Sequence, residues 1–321
     1  MRIQDGVLAV GLLAAATITS AQPASTGSGQ AYPAKPVRII TAAAGGGSDF
    51  ATRLIATPLG AALGQQVIVD NRGLLAADIA ARAPADGYTL LLSGQTLWLL
   101  PFMRENVASS AADFAPITTA TETANLLVVH PSLPAQSTKE LMALARARPG
   151  QLNYATSGVG NSVHLAGELF KSLARVDVVR VNYKAASQAL TDLVAGQTQF
   201  MFAVPGSSIP HVKAGRLRAL AVTSARPTPL APGLPTVAAA LPGYEMTSRL
   251  AIFAPAGTPP AILTRLNQEI VRVLARADVK DRFFSAGQET VGSTPEALGA
   301  LIKSEMDRMG KIIRSASIRA D

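Results

Sequence analysis

The chain has 321 residues, 48% of them apolar and only 5% aromatic, with 29 Lys and Arg against 21 Asp and Glu and a formal net charge of +8. That length allows about two domains at roughly 150 residues each, with a core resting on Ala, Leu, Val and Ile. Cysteine is absent, which excludes disulfides, thiolate metal sites and a cysteine nucleophile.

The chain opens with Arg2, an apolar run Val7–Ile18 and the small residues Thr19-Ser20-Ala21. This is the pattern of a secretory leader over 1–21, too short to span a bilayer. The Ser- and Gly-rich stretch Gln22–Ala31 follows. No Cys stands after the apolar run, so no lipid anchor is expected, and the exported protein is placed in the periplasm. Lys and Arg never form a long run. The clusters at Arg146–Arg148 and Arg216–Arg218 lack interleaved aromatics, so no nucleic-acid partner is expected. The positive balance is read as a mild field that enriches small anions.

Short apolar runs then alternate with helical patterns. Val37–Ala42, Val67–Asp70 and Tyr88–Ser93 read as strands in a first unit, and Asn153–Thr156, Val176–Val181, Gln199–Val204 and Leu217–Ser224 in a second. Near-continuous apolar strands separated by helices predict an α/β protein with parallel sheets covered on both faces. Ser137 and Glu140 have the spacing of a capping box. Thr294-Pro295 reads as an N-cap with Pro in the first turn, and another helix opens at Pro259 or Pro260. Pro58 should kink or shorten the first helix. Ile117–Val129 crosses from the first unit to the second and Tyr244–Ala254 crosses back. The proline-rich stretch before the return, "ARPTPLAPGLPTVAAALPGY", carries no periodicity.

Each half holds a glycine-rich turn between a strand and a helix: Gly45-Gly46-Gly47-Ser48-Asp49, and "TSGVGNSVH" from Thr156 to His164. Such a turn can hold phosphate, frame a nucleophile, grip another anion or simply turn the chain. Neither has the Lys and Ser/Thr of a P-loop, Phe50 and Val163 stand where a dinucleotide fingerprint needs its third Gly, and "GGSDF" fails as a nucleophile elbow. What remains is backbone N–H groups and a helix N-terminus, which bind a carboxylate without a cationic side chain. Ser48 or Asp49, and Asn161 or Ser162, are the candidate N-caps. His164 can line a cleft or serve a surface or capping role. Tyr183 and Lys184 stand at a strand's C-terminal end, where α/β folds place ligands, although Lys184 reads equally as a solvated surface lysine. Trp98 is core or cleft wall. His130, His164 and His211 have no metal-ligand spacing, and Asp49, Asp86 and Asp192 show no paired-carboxylate logic, so neither metal nor catalytic residues are assigned.

Several segments resemble the tripartite tricarboxylate transporter receptors, often called Bug receptors: "YPAKPVRII", "GGGSD", "LGQQVIVDNR", "DGYTLLL", "LARARPGQLNYATSGVGNSVHLAGELF", "LTDLVAGQTQFMF", "AGRLRALAVTSARP" and "FAPAGTP". The resemblance spans essentially the whole mature length. It implies a two-domain periplasmic binding protein of type II-like fold, with lobe 1 at 22–121 plus 249–321 and lobe 2 at 122–248. The lobes are joined by two crossing hinge strands and close on a small organic acid that is passed to integral-membrane permease subunits. It implies no catalysis, no cofactor and a monomer. A ligand-binding sensor is the alternative, and an α/β hydrolase a weaker one. The family's ligand-contacting junctions match Ala43, Ala44, Gly45, Gly46, Gly47, Ser48 and Asp49 and Thr156, Ser157, Gly158 and Asn161; Ser93, Gln95, His164, Tyr183, Lys184, Ala203 and Arg249 complete the candidate set. This chain departs from the family's pattern at Thr41–Ala44, at Gly73–Ala77, within Val181–Ala185, at Ala203 in place of Asp and at Arg249 in place of Trp. The last two are expected to favour a more anionic ligand.

Overall fold

The computed structural model describes residues 32–319, so the leader reading of residues 1–21 lies outside it. The first lobe begins with β1 (Val37–Thr41), α1 (Gly47–Leu63), β2 (Val67–Asn71), α2 (Ala76–Ala81), β3 (Thr89–Gly94) and a short α3 (Thr96–Leu99). The long β4 (Phe114–Ala124) leads into β5 (Leu126–Val129), followed by α4 (Thr138–Ala147), β6 (Asn153–Ser157), α5 (Ser162–Ala174), β7 (Val179–Tyr183), α6 (Ala186–Val194), β8 (Phe200–Ala203), α7 (Pro205–Lys213) and β9 (Arg218–Val222). The chain returns through β10 (Thr247–Pro255) and finishes with α8 (Pro260–Ala275), α9 (Ala277–Ser285), β11 (Glu289–Thr290) and α10 (Pro295–Ser315).

These strands form two sheets, ordered β11-β4-β10-β3-β1-β2 and β7-β6-β8-β5-β9. Burial in the first follows the two-residue period of a pleated strand. Ile39, Leu90 and Leu92 pack with α1, α8 and α9 on one face, while Ile40 and Leu91 join the cluster on the other. That second cluster runs on through Leu298 and Ile313 of α10 and Leu165 and Leu169 of α5 to Tyr154, Phe200 and Phe202 in the other sheet. Helices thus cover both faces, as the apolar runs imply. The sheets are mixed rather than wholly parallel, however: β10 runs antiparallel to β3 and β4, and β5 antiparallel to β8 and β9. A continuous apolar run reports burial on two faces and says nothing of direction. Direction is set by the connections, and β4 enters the second sheet as β5 after one intervening residue.

That residue, Asn125, is fully buried and laces the passage. Its N–H donates to Thr223 Oγ1 at 2.8 Å, Thr223 N–H donates to the Asn125 carbonyl at 2.9 Å, and Met246 N–H donates to the Thr223 carbonyl at 2.9 Å. The proline-rich segment before β10 is tied down by buried Leu230, Val237, Leu241 and Tyr244, with the Tyr244 hydroxyl donating to the Ala166 carbonyl at 3.0 Å. Helix signals translate closely. Ser137 Oγ accepts from Glu140 N–H at 3.2 Å, while the Glu140 carboxylate accepts from Gln136 N–H, one residue before the cap. Thr294 caps α10 with Pro295 at its first position. Helix α1 runs through Pro58 without ending, because Ala51, Leu54, Ile55 and Leu59 bury its inner face.

Beneath the crossing strands lies a charge cluster. Arg249 on β10 is 5% exposed; its guanidinium donates to Glu245 at 2.8 Å, to both oxygens of Glu122 at 3.3 Å and to Glu305 on α10. Glu305 is 2% exposed and also accepts from Trp98 Nε1 at 2.9 Å and Gln95 Nε2 at 3.2 Å. Burial opposes the arginine's charge, and Glu305, Glu122 and Glu245 more than offset it, so its pKa lies above the usual value. The cluster ties β4, β10, α3 and α10 together. Removing the cation leaves the buried Glu305 carboxylate without its ion-pair partner, a loss on the order of 3 kcal/mol. Arg249→Met is therefore expected to lower unfolding free energy by about that amount in urea titrations, with Arg249→Lys recovering only part because it lacks the planar fork.

Candidate functional site

Both glycine turns are built by the same device. In the first, Gly45 adopts φ +82°, a left-handed conformation that glycine enters without steric cost. Asp49, four residues on, reaches back to accept the Gly45 N–H at 2.9 Å. Asp49 is buried and also accepts from Asn71 Nδ2 at 3.0 Å and pairs with Arg53 at 2.8 Å. The Gly45 amide, with the Asn71 and Arg53 contacts, holds its carboxyl below the usual carboxylate range against the opposing effect of burial. The N-cap is Gly46, which has no side-chain cap; Asp49 does the capping from inside the helix, and Ser48 does none.

The second turn repeats this with a neutral group. Gly158 and Gly160 have φ +68° and +77°, and His164 Nδ1 accepts the Gly160 N–H at 3.0 Å. Asn161 is the N-cap: its Oδ1 accepts from His164 N–H at 2.9 Å and its Nδ2 donates to the Ser157 carbonyl. His164 is fully buried. Its other ring nitrogen, Nε2, lies against the Arg180 guanidinium and 3.9 Å from Glu168. Burial, then the Arg180 charge, push its pKa down to about 4, with Glu168 acting in the opposite sense. In both turns the next amides, Gly46 to Ser48 and Asn161 to Val163, have no acceptor among the described residues. These are the orphan donors of a helix start.

The two turns open on one cavity of about 700 Å³. Ala42 and Ser48 line it from the first turn and Gly160, Asn161 and Ser162 from the second. Gly160 comes so close to Met103 that any Cβ there would overlap the sulfur. Of the other candidates, Ser93, Gln95 and Arg249 also line the cavity. Ala43 to Gly47 form the exposed arc between Ala42 and Ser48, while Asp49, Thr156, Ser157 and His164 are buried and Gly158 is exposed at the second turn. None of these ten, nor three further candidates, is in the lining. Ala203 is fully buried in the core of the second sheet, Lys184 is exposed beyond the end of edge strand β7, and Tyr183 packs against that core.

Arg249, expected to meet the ligand's charge, reaches the wall with its guanidinium committed to three glutamates. The lining cation whose side chain has no ion pair or hydrogen bond among the described residues is Arg104, exposed on the irregular segment 104–109. This segment carries no periodicity and no motif, so sequence reading passes over it. The same holds for Asp78, which accepts from Ser109 Oγ at 2.5 Å, and for Leu97, Leu100 and Leu250, which read as ordinary core.

The profile of the tripartite tricarboxylate transporter family receptor matches residues 51–318. The chain belongs to this family. It is 32% identical to Protein BugT of Bordetella pertussis over 314 residues, covering 94% of this chain and 95% of that one. Among solved structures it resembles R. palustris Rpa4515 with adipate, at 34% identity and TM-score 0.73 over 90% of this chain and 100% of that one. It also resembles MatC (Rpa3494) from Rhodopseudomonas palustris with bound malate, at 27% identity and TM-score 0.67 over 88% and 100%. The receptor is thus a periplasmic-type solute-binding protein, and among its described residues no helix is long and apolar enough to cross a membrane.

The buried His164 gives the receptor a pH dependence with a definite sign. Its folded pKa of about 4 lies below the ordinary 6.5, so the unfolded chain binds the proton more readily. The stabilisation is present above about pH 6.5 and is lost as pH falls towards 4, a change on the order of 3 kcal/mol. Urea midpoints measured between pH 7 and 4.5 should fall accordingly, and the His164→Gln variant should show a shallower decline.

Proposed function

We propose that this receptor captures a small organic acid in the periplasm and delivers it to an integral-membrane permease. The ligand is held in the cavity shared by the two glycine turns. The observation that carries the reading is the convergence of two helix N-termini, each with unsatisfied amides, on one cavity. A carboxylate placed there accepts hydrogen bonds from stiff backbone donors and sits at the positive ends of α1 and α5. The adipate and malate held by the two related structures support the same ligand class. Asp49 already occupies the first turn from within, whereas the second turn is backed by a neutral imidazole and the Arg180 charge. The field therefore favours the anion nearer Asn161 and Ser162.

Contacts from both lobes make the closed arrangement the tight-binding one, so ligand shifts the population towards it. Gly160 resting on Met103 is one contact that this closure needs. The leader pattern read at 1–21 and the family assignment support a periplasmic receptor.

Calorimetric titration of the purified protein with adipate, malate, citrate and benzoate is expected to give a dissociation constant in the micromolar range or below for at least one acid. Gly160→Ala is expected to weaken that acid at least tenfold, since the new Cβ meets Met103 and the backbone sits at positive φ. Absence of binding by every acid, or turnover of a model ester, would contradict the receptor reading.

A further inference from the structure

We propose that Asn125, which is not in the cavity lining, is a positioning residue for ligand binding: its side-chain amide turns the Ser162 hydroxyl so that the proton points at the ligand's carboxylate. This rests on the receptor reading above. Ser162 is the first residue of α5 and lines the shared cavity. Asn161 already caps that helix, so the helix has no use for the Ser162 hydroxyl. The partner of that hydroxyl among the described residues is Asn125 Nδ2, which donates to Ser162 Oγ at 3.4 Å. An amide nitrogen only donates, so the serine oxygen is the acceptor in this pair and its own proton must go elsewhere. On a cavity wall, the ligand is the acceptor that can take it. Ser162 then offers one anion two donors, its hydroxyl and its unsatisfied backbone N–H.

Folding alone does not call for an asparagine at position 125. The residue is fully buried between β4 and β5, flanked by Ala124 and Leu126 of the second sheet's core. Its Oδ1 has no hydrogen-bond partner among the described residues. A buried carbonyl without a donor costs stability, and an aliphatic side chain of similar size avoids that cost. The two bonds to Thr223 use the main-chain N–H and carbonyl of Asn125, which any residue but proline supplies. What remains for the side chain is its amide N–H, and that reaches a residue of the cavity wall. Because the same main-chain bonds hold Asn125 to the return crossing, the amide is in place before ligand arrives, and binding needs little further ordering there.

The test is calorimetry with whichever of adipate, malate, citrate and benzoate the parent binds most tightly. Ser162→Ala is expected to weaken that acid about tenfold, the loss of one hydrogen bond to a charged group. Ser162→Thr keeps the hydroxyl and should recover most of the affinity. Asn125→Leu is expected to weaken the same acid about tenfold, while its melting temperature without ligand equals or exceeds the parent's. An asparagine that served only the fold would show the reverse. The double variant should bind no more weakly than Ser162→Ala alone, because both changes act through one hydroxyl. Asn125→Ala, which adds no volume, repeats the comparison if leucine does not fit. Parental affinity in either single variant, or losses that multiply to about a hundredfold in the double variant, would overturn the inference and leave the receptor reading standing. Silence from all four acids would overturn both.

Discussion

The structure depends on backbone amides left without protein acceptors at the starts of two helices and brought to one cavity. A helix N-terminus exposes such donors by necessity, but a cavity between lobes concentrates them only if the chain turns sharply just before each helix. Glycines at positive φ make those turns, and a side chain four residues on, Asp49 or His164, reaches back to fix a glycine amide. The two halves solve the same geometric problem with different charge. A buried anion partly spends the positive end of α1, whereas a buried neutral ring leaves the end of α5 available. Had both turns used carboxylates, two negative charges would face any acid entering the space between them.

The crossing region supplies the second constraint. The chain passes between sheets at Asn125 and returns near Met246, and three backbone or hydroxyl bonds centred on Thr223 hold these passages at one level. Below them Arg249 gathers glutamates from β4, from the approach to β10 and from α10. In one sequence Arg249 is simply a cation near a ligand site. Its partners lie at positions 122, 245 and 305, and only the fold shows that they surround it. A guanidinium so committed stiffens the floor beneath the cavity and contributes little charge to its interior.

Much of the architecture was legible because burial leaves a period in the sequence. The strands at Val37, Val67 and Tyr88 and those at Asn153, Gln199 and Leu217 emerge within a residue or two of their expected bounds, and the two glycine turns could be recognised as equivalent. The strand at Val176 begins three residues late, since Val176 and Val178 are buried as lead-in rather than ladder. Strand direction was not legible, because apolar continuity is the same for parallel and antiparallel neighbours. At the cavity, Ser48 and Asn161 could be found from the glycine turns, although only Asn161 caps its helix. Leu74, Arg104, Leu97 and Leu250 could not, since their residue types are common on surfaces and in cores and only the third dimension collects them. Tyr183 and Lys184 were chosen for standing at a strand's end and Ala203 for the family position it fills; β7 is an edge strand, and Ala203 is buried in a core.

A crystal structure with a bound carboxylate would test the central claim most directly. The carboxylate oxygens are expected to lie within hydrogen-bonding distance of amide nitrogens among Asn161–Val163, with Gly46–Ser48 facing the same ligand from the other lobe. A carboxylate held instead by the side chains of Arg249 or Lys184, or bound outside the shared cavity, would contradict the account.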